Sequence, residues 1–178
     1  MFSDNNILSH VRGHTVMREL HMQLGGGYGK FILADSQGAR YVIKFNRFFE
    51  FTLEDETDSK RVLDIRAANG KEGMFGGRIV VRRPRYYSVI VHGSPRGRLK
   101  RPIFWFFQQR WQLTIDDRVI LLPTNSHRKA IGADFVVTQR FMDVYPRVCI
   151  DASPASVEYL SAMISIVIMC MVDSFGNS

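Results

Sequence analysis

The sequence predicts a mainly β protein, an antiparallel closed barrel of about twelve strands around a buried C-terminal helix. Short apolar segments with strand-like alternation, separated by turn residues, recur along the first 150 residues. After them, residues 159–172 carry no charge and would be apolar on every face of a helix. Such a helix has to be buried, and the interior of a wide barrel can hold it. No helix is predicted between the strands, which argues against a parallel sheet with helical crossovers.

The first strands are predicted at residues 16–24, 30–34 and 40–45, because apolar and polar residues alternate there. Residues 30–34 and 40–45 flank Asp35-Ser36-Gln37-Gly38, a turn sequence that favours a hairpin. The further predicted strands are residues 48–53, 61–65, 78–83, 86–91, 103–108, 110–115, 119–122, 135–137 and 147–151.

Two connections are predicted from proline, glycine and charge. Pro84 is expected to lie between residues 78–83 and 86–91, which would then pair as neighbours. Residues 92–102 are expected to form a basic loop.

The C-terminal helix is expected over about residues 155–175. Ser153 can cap it with Pro154 at the first helical position, and Gly176 is a stop signal. The uncharged residues 159–172 would span about 21 Å, against about 30 Å of hydrocarbon in a bilayer. A buried core helix is therefore preferred, and a helix inserted in a membrane is the alternative.

Composition is that of a globular protein with a basic surface. The 178 residues are 46% hydrophobic with a formal net charge of +7. They predict one domain over residues 14–178 after a loose N-terminal arm, residues 1–13. The start of the chain shows no secretory signal, and Cys149 and Cys170 stand in apolar segments, as buried reduced thiols of a cytoplasmic protein would. Nucleic acid, acidic lipid headgroups and acidic proteins are all candidate partners.

Two stretches resemble the tubby C-terminal-like superfamily, which includes the LURP-one-related proteins and the phospholipid scramblases. Residues 30–44, KFILADSQGARYVIK, resemble the family's early hairpin around an Asp-x-x-Gly turn. Residues 148–151 leading into residues 157–175 resemble its terminal strand and central helix, with Asp173 at the acidic position near the helix end. The resemblance implies a twelve-stranded barrel around a central helix, with no cofactor and no catalytic residues.

The functions that the resemblance implies are phosphoinositide binding, calcium-dependent lipid scrambling and plant defence. The chain departs from the scramblase pattern because it has no Pro-rich N-terminal tail and no cysteine-rich palmitoylation stretch. It also has no dense acidic loop before the helix, where only Asp143, Asp151 and Glu158 stand. We therefore expect a non-enzymatic, monomeric module that binds anionic phospholipid or a protein partner at a membrane surface. A scramblase-like protein with its helix in the bilayer is the alternative.

A run of cations is the strongest candidate for an anion-binding site. Seven Lys or Arg residues fall within twenty positions that contain no acid, and a polybasic surface gains about 1 kcal/mol per cation near an anionic leaflet. The candidate lipid- or anion-binding residues are Arg82, Arg83, Arg85, Arg96, Arg98, Lys100 and Arg101. The alternative is a solvated loop that only keeps the protein soluble.

Other motifs are weaker. Residues 95–102, PRGRLKRP, resemble an AT-hook for A·T-rich DNA, but Leu99 stands where that motif has proline. The glycines of residues 25–29 imitate a kinase phosphate loop, yet no His-Arg-Asp catalytic loop follows. The five histidines do not have the spacing of metal ligands, so no metal site is expected.

Overall fold

In the part of the chain that the structure describes, the fold consists of one antiparallel sheet of eleven strands, a separate two-stranded sheet and one C-terminal helix. The computed structural model describes residues 17–27, 30–46, 48–68, 72–75, 78–81, 84–102, 110–124, 128–140 and 142–175. The elements are β1 (Arg18–Leu24), β2 (Phe31–Asp35), β3 (Arg40–Phe45), β4 (Phe51–Asp55), β5 (Arg61–Ala67), β6 (Glu72–Phe75), β7 (Arg78–Val81), β8 (Tyr86–Val91), β9 (Ser94–Lys100), β10 (Gln112–Ile115), β11 (Arg118–Leu121), β12 (Val136–Thr138), β13 (Arg147–Ile150) and α1 (Val157–Phe175). The mainly β prediction is confirmed, while the predicted arm at residues 1–13 and the predicted strand at residues 103–108 lie outside the described residues.

The strand order in the sheet is β11-β10-β9-β8-β5-β4-β3-β2-β1-β13-β12, with β6 and β7 forming a separate two-stranded sheet. Most neighbours in the sheet are also neighbours along the chain, so alternate connections lie at opposite ends of the strands. We call the end that carries the connections after β2, β4, β8 and β10 the turn end. The end that carries the connections after β1, β3, β5 and β9 is the loop end.

Residues 128–131 lie between the two edge strands of this sheet. Leu121 of β11 and Ile131 exchange two backbone hydrogen bonds, of 2.9 and 3.0 Å. On the other side Lys129 forms an antiparallel bridge with Val136 of β12, and the backbone N–H of Val137 donates to the Arg128 carbonyl over 2.8 Å. Both edges of the sheet therefore bond to the same short segment.

The helix α1 is the centre of the hydrophobic core. Every residue from Tyr159 to Met171 is buried, which confirms the predicted burial of the apolar helix. Two hydroxyls within this run are satisfied by the helix itself, since Ser161 donates to the Val157 carbonyl and Ser165 to the Ser161 carbonyl, over 2.6 and 2.7 Å. Among the described residues, no helix is both long enough and apolar enough to cross a bilayer.

The predicted cap of the helix was wrong by three residues. The Ser156 hydroxyl, rather than that of Ser153, accepts a hydrogen bond from the backbone N–H of Tyr159 over 3.1 Å. Ser153 and Pro154 instead lie in the preceding turn, where the Ser153 carbonyl accepts from the backbone N–H of Ser156. The helix therefore begins at Val157, because Ser156 occupies the position from which a side-chain oxygen reaches the free N–H groups of the first turn.

The predicted basic loop at residues 92–102 is wrong, because residues 94–100 form strand β9 between β8 and β10. Pro95 suggested a loop, but it lies beside a register irregularity at Val89 and Ile90, where a missing N–H donor is tolerated. Gly97 is required by close strand contact, since a Cβ there would lie 2.1 Å from the Thr114 carbonyl oxygen.

The predicted pairing of residues 78–83 with residues 86–91 is also wrong. Strand β7 pairs with β6, and β8 pairs with β5 and β9. The tight turn at His92 and Gly93, both with positive φ, joins β8 directly to β9. Because β8 continues the sheet from β5, the hairpin of β6 and β7 is an insertion at the loop end.

Candidate anion-binding site

Three of the seven predicted cations come together on the outer face of β8 and β9 at the loop end. Along both strands alternate residues point inward, with Tyr87, Val89 and Leu99 buried in the core. Their outward neighbours include Arg98 and Lys100, and Arg85 immediately precedes β8. We call Arg85, Arg98 and Lys100 the cationic patch.

Tyr86 is the centre of the cationic patch. It is the cross-strand partner of Lys100, and its ring lies under two guanidinium groups, with the Cζ atoms of Arg85 and Arg98 at 5.5 and 5.7 Å from the ring centroid. A cation above an aromatic face is attracted by the ring quadrupole. Both exposed arginines are therefore held at this ring before any ligand binds.

The electrostatics of the cationic patch differ from those of most other cations whose side chains the structure describes. Within the part of the chain that the structure describes, no carboxylate lies within 4.0 Å of the charged nitrogens of Arg85, Arg98 or Lys100. Elsewhere carboxylates neutralise cations in pairs that include Arg40 with Glu56, Lys44 with Glu54, Lys60 with Asp58, Arg66 with Asp64, Arg118 with Glu158 and Arg147 with Glu19. The positive charge of the patch is thus available to an external anion.

Arg96 lies apart from the cationic patch and has an acidic partner of its own. It lies near the turn end, where its Nε donates to Asp116 Oδ1 over 2.8 Å and its Nη2 donates to Asp116 Oδ2. This hydrogen-bonded pairing lowers the pKa of the Asp116 carboxyl from its ordinary value. The guanidinium of Arg96 is therefore already occupied by a bidentate partner within the protein.

Arg101 has a positioning role at the edge of the cationic patch. Its backbone N–H donates to the Arg85 carbonyl over 2.8 Å, and its Nε donates to the Pro84 carbonyl over 3.0 Å. These bonds fix the chain just before β8, where Arg85 is. Arg82 and Arg83 lie outside the described residues.

Sequence reasoning missed the polar groups that surround the cationic patch. In the register of the sheet Arg98 lies directly between Ser88 of β8 and Thr114 of β10. Their outward hydroxyls add hydrogen-bonding groups beside the arginine, and Tyr86 supplies the ring. The alternation of buried and exposed positions would have identified all three, had residues 94–100 been recognised as a strand.

No family model, curated protein or solved structure matches this chain. The function is therefore inferred from the geometry of the site.

The cysteines offer a second kind of chemistry, and here too the sequence prediction needs correction. Cys170 is buried in α1 as expected, but Cys149 is exposed on the outer face of β13. Its neighbours Val148 and Ile150 are buried because they point into the core. They make the sequence around Cys149 apolar, although Cys149 itself points outward. Within the described ranges no group of three or more His, Cys, Asp or Glu residues could hold a metal ion.

Proposed function

We propose that the protein is a non-enzymatic binding module of the tubby-like kind that binds anionic phospholipid headgroups, phosphoinositides in particular, at the cytoplasmic surface of a membrane. The observation that supports this most directly is the cationic patch. Three cations converge on one outward-facing aromatic ring, and no described carboxylate lies within ion-pair distance of them.

The chemistry of the patch suits a phosphate monoester on a surface. Arginine presents a planar fork of donors that matches two phosphate oxygens, while lysine supplies a compact point charge. Arg85 and Arg98 are exposed on the outside of the sheet, so a headgroup projecting from a flat bilayer could reach both. At about 1 kcal/mol per cation near an anionic leaflet, three cations support weak, reversible association.

Vesicle flotation at physiological salt tests the proposal. Phosphatidylcholine vesicles containing a few per cent of a phosphoinositide are compared with phosphatidylcholine alone, using the wild-type chain and the variant R98E/K100E. The matched control is R96E, which reverses a nearby cation already paired with Asp116. We expect the wild type and R96E to float with phosphoinositide vesicles and R98E/K100E to lose most of that binding. Equal binding by R96E and R98E/K100E would refute the site.

Two alternative functions receive less support. An AT-hook inserts an extended Arg-Gly-Arg core into a minor groove, but here Arg96, Gly97 and Arg98 belong to a strand that is paired on both sides. A bilayer-inserted helix would need α1 to leave the core, in which residues 159–171 are buried. A salt-resistant preference for A·T-rich duplex would favour the DNA-binding alternative. Resistance of the bound protein to carbonate extraction would favour the bilayer-inserted helix.

We also infer that the sheet closes into a barrel. Eleven strands with residues 128–131 as a twelfth would make a continuous antiparallel cylinder, and the bonds of that segment to β11 on one side and to β12 on the other support this closure. Hydrogen exchange tests this closure. The amides of Leu121, Ile131 and Val137 should be protected like those of central strands such as β3, whereas exchange as fast as in an exposed turn would show an open sheet.

A further inference from the structure

The loop end also carries exposed apolar side chains some distance from the cationic patch. Leu24 at the end of β1 is 65% exposed, and Met142 and Val144, between β12 and β13, are 86% and 78% exposed. The ladder of β1 and β13 ends at the pair of His21 with Arg147, so Leu24 lies three residues beyond this pair on one side and Val144 lies three residues before it on the other. Exposed apolar residues that cluster in this way mark interaction sites.

The connection that carries Met142 and Val144 is held in place by hydrogen bonds. The Asp143 backbone N–H donates to the Arg140 carbonyl over 2.9 Å, which closes a turn. The Gln139 amide donates to the carbonyls of Asp143 and Val144 over 3.2 and 3.3 Å. The two apolar side chains are therefore displayed on a defined turn.

Cations lie in the segments next to these apolar residues, and the Asp143 carboxylate between Met142 and Val144 is paired with Arg147. Arg128 donates from Nη1 to the Gln139 carbonyl over 3.0 Å, and Arg140 immediately precedes the turn. Lys129 is adjacent, and its carbonyl accepts from Arg110 Nη1 over 2.6 Å. Across all the ranges that the structure describes, no carboxylate lies within 4.0 Å of the charged nitrogens of Arg128, Lys129 or Arg140.

We propose that Leu24, Met142 and Val144 form an insertion tip that enters the interfacial region of an anionic bilayer, while Arg128, Lys129 and Arg140 remain at the level of the lipid phosphates. This inference rests on the proposed function and defines which end of the protein faces the membrane. The apolar centre matches the outer acyl chain region, and the cations around it match the charged headgroups. A second copy of the chain is a poorer fit, because two such tips would bring like charges together.

The test compares wild type with M142E/V144E in binding to vesicles of phosphatidylcholine and phosphatidylserine. We expect the variant to partition about tenfold more weakly, the factor that corresponds to about 1.4 kcal/mol. The control is V119E, which places one such carboxylate at a 54% exposed apolar position on β11. Because all three positions are exposed, each variant should keep the thermal midpoint of the wild type.

A depth measurement supplies a second readout. In a C149S background, M142C labelled with an environment-sensitive fluorophore should shift to the blue on vesicles and be quenched by lipids that carry a nitroxide high on the acyl chain. The same label at V119C should do neither. Unchanged partitioning of M142E/V144E together with no quenching at position 142 would overturn the insertion tip.

The outcomes separate this inference from the headgroup site. If R98E/K100E abolishes phosphoinositide binding while M142E/V144E binds vesicles like wild type, the headgroup site stands and the insertion tip fails. If M142E/V144E weakens binding while R98E/K100E does not, the insertion tip stands and the headgroup site fails. Concentration-dependent dimerisation that M142E/V144E removes would assign the tip to a second copy of the chain and overturn insertion.

Discussion

Replacing Asp35 with alanine should destabilise the fold strongly, because this carboxylate joins three separate parts of the chain. Its side chain is fully buried, and its Oδ2 accepts from Arg18 Nη1 over 2.9 Å and from the Tyr159 hydroxyl over 2.7 Å. Its Oδ1 accepts from the backbone N–H of Gln37 over 2.8 Å. One carboxylate thus links β1, the turn after β2 and the first turn of the central helix.

The magnitude follows from what the substitution leaves unpaired. A hydrogen bond to a charged group contributes about 1.5 to 3 kcal/mol, and a buried donor left without a partner costs about 1 to 3 kcal/mol. Arg18 can turn toward solvent, since 22% of its side chain is exposed, but the Tyr159 hydroxyl is buried and cannot. We therefore expect D35A to lower the free energy of unfolding by about 4 kcal/mol and Y159F by about 2 kcal/mol.

Urea unfolding of D35A, Y159F and the double variant measures both effects and their coupling. Because the two side chains share a hydrogen bond, the double variant should lose less stability than the sum of the single losses, by about 1 kcal/mol or more. A loss below about 1 kcal/mol for D35A, or strict additivity in the cycle, would show that the Asp35 cluster does not hold the helix in place.

Three further predictions concern pH and strand contact. Burial, followed by the hydrogen bond to Asp35, raises the pKa of the Tyr159 hydroxyl above its ordinary value of 10. The free energy of unfolding should therefore fall as the pH rises above about 10, because only the unfolded chain releases the proton. In urea unfolding at several pH values, Y159F should show a smaller fall. The hydrogen bond from Arg40 lowers the pKa of the Glu56 carboxyl, so the stabilisation by this ionised carboxylate is lost as the pH falls below about 4.5. Below that pH the thermal midpoint of E56Q should therefore depend less on pH than that of the wild type. G97A should lower the free energy of unfolding by about 3 kcal/mol, since its Cβ meets a backbone carbonyl, whereas G26A, with no atom within 4 Å, should be near neutral by urea unfolding.

The position of the helix could be predicted from the sequence because its signal is local. A run from Tyr159 to Met171 without charge leaves no face for water, and the structure buries every one of those residues. The hairpin around the turn after Asp35 is local in the same sense, and β2 and β3 pair as expected. Such features need no knowledge of which distant residues become neighbours.

The candidate site was less predictable because its chemistry depends on pairing across the sheet. The sequence places Arg96 and Arg98 two residues apart in one basic run, yet Asp116, twenty positions further on, neutralises only Arg96. The same ladder brings Lys100 opposite Tyr86, which lies before the turn that joins the two strands. Composition could identify the basic region, but only the register decides which of its cations remain without an acidic partner.

Whether a cation has an acidic partner depends on the end of the sheet at which it lies. Turn-end connections carry the acids Asp35, Asp55, Glu56, Asp58, Asp116 and Asp117. The loop-end residues 25–30, 101–111 and 122–128 contain no Asp or Glu, whereas the loop-end connections after β3, β5 and β12 carry Glu50, Glu72 and Asp143. Cations at the turn end, such as Arg96 and Arg118, therefore find carboxylates, and those of the cationic patch do not. The loop-end cations that have no acidic partner should therefore attract an anionic bilayer most strongly. The same orientation would bring the proposed insertion tip to the lipid, so the unpaired cations and the exposed apolar residues favour the same end of the sheet.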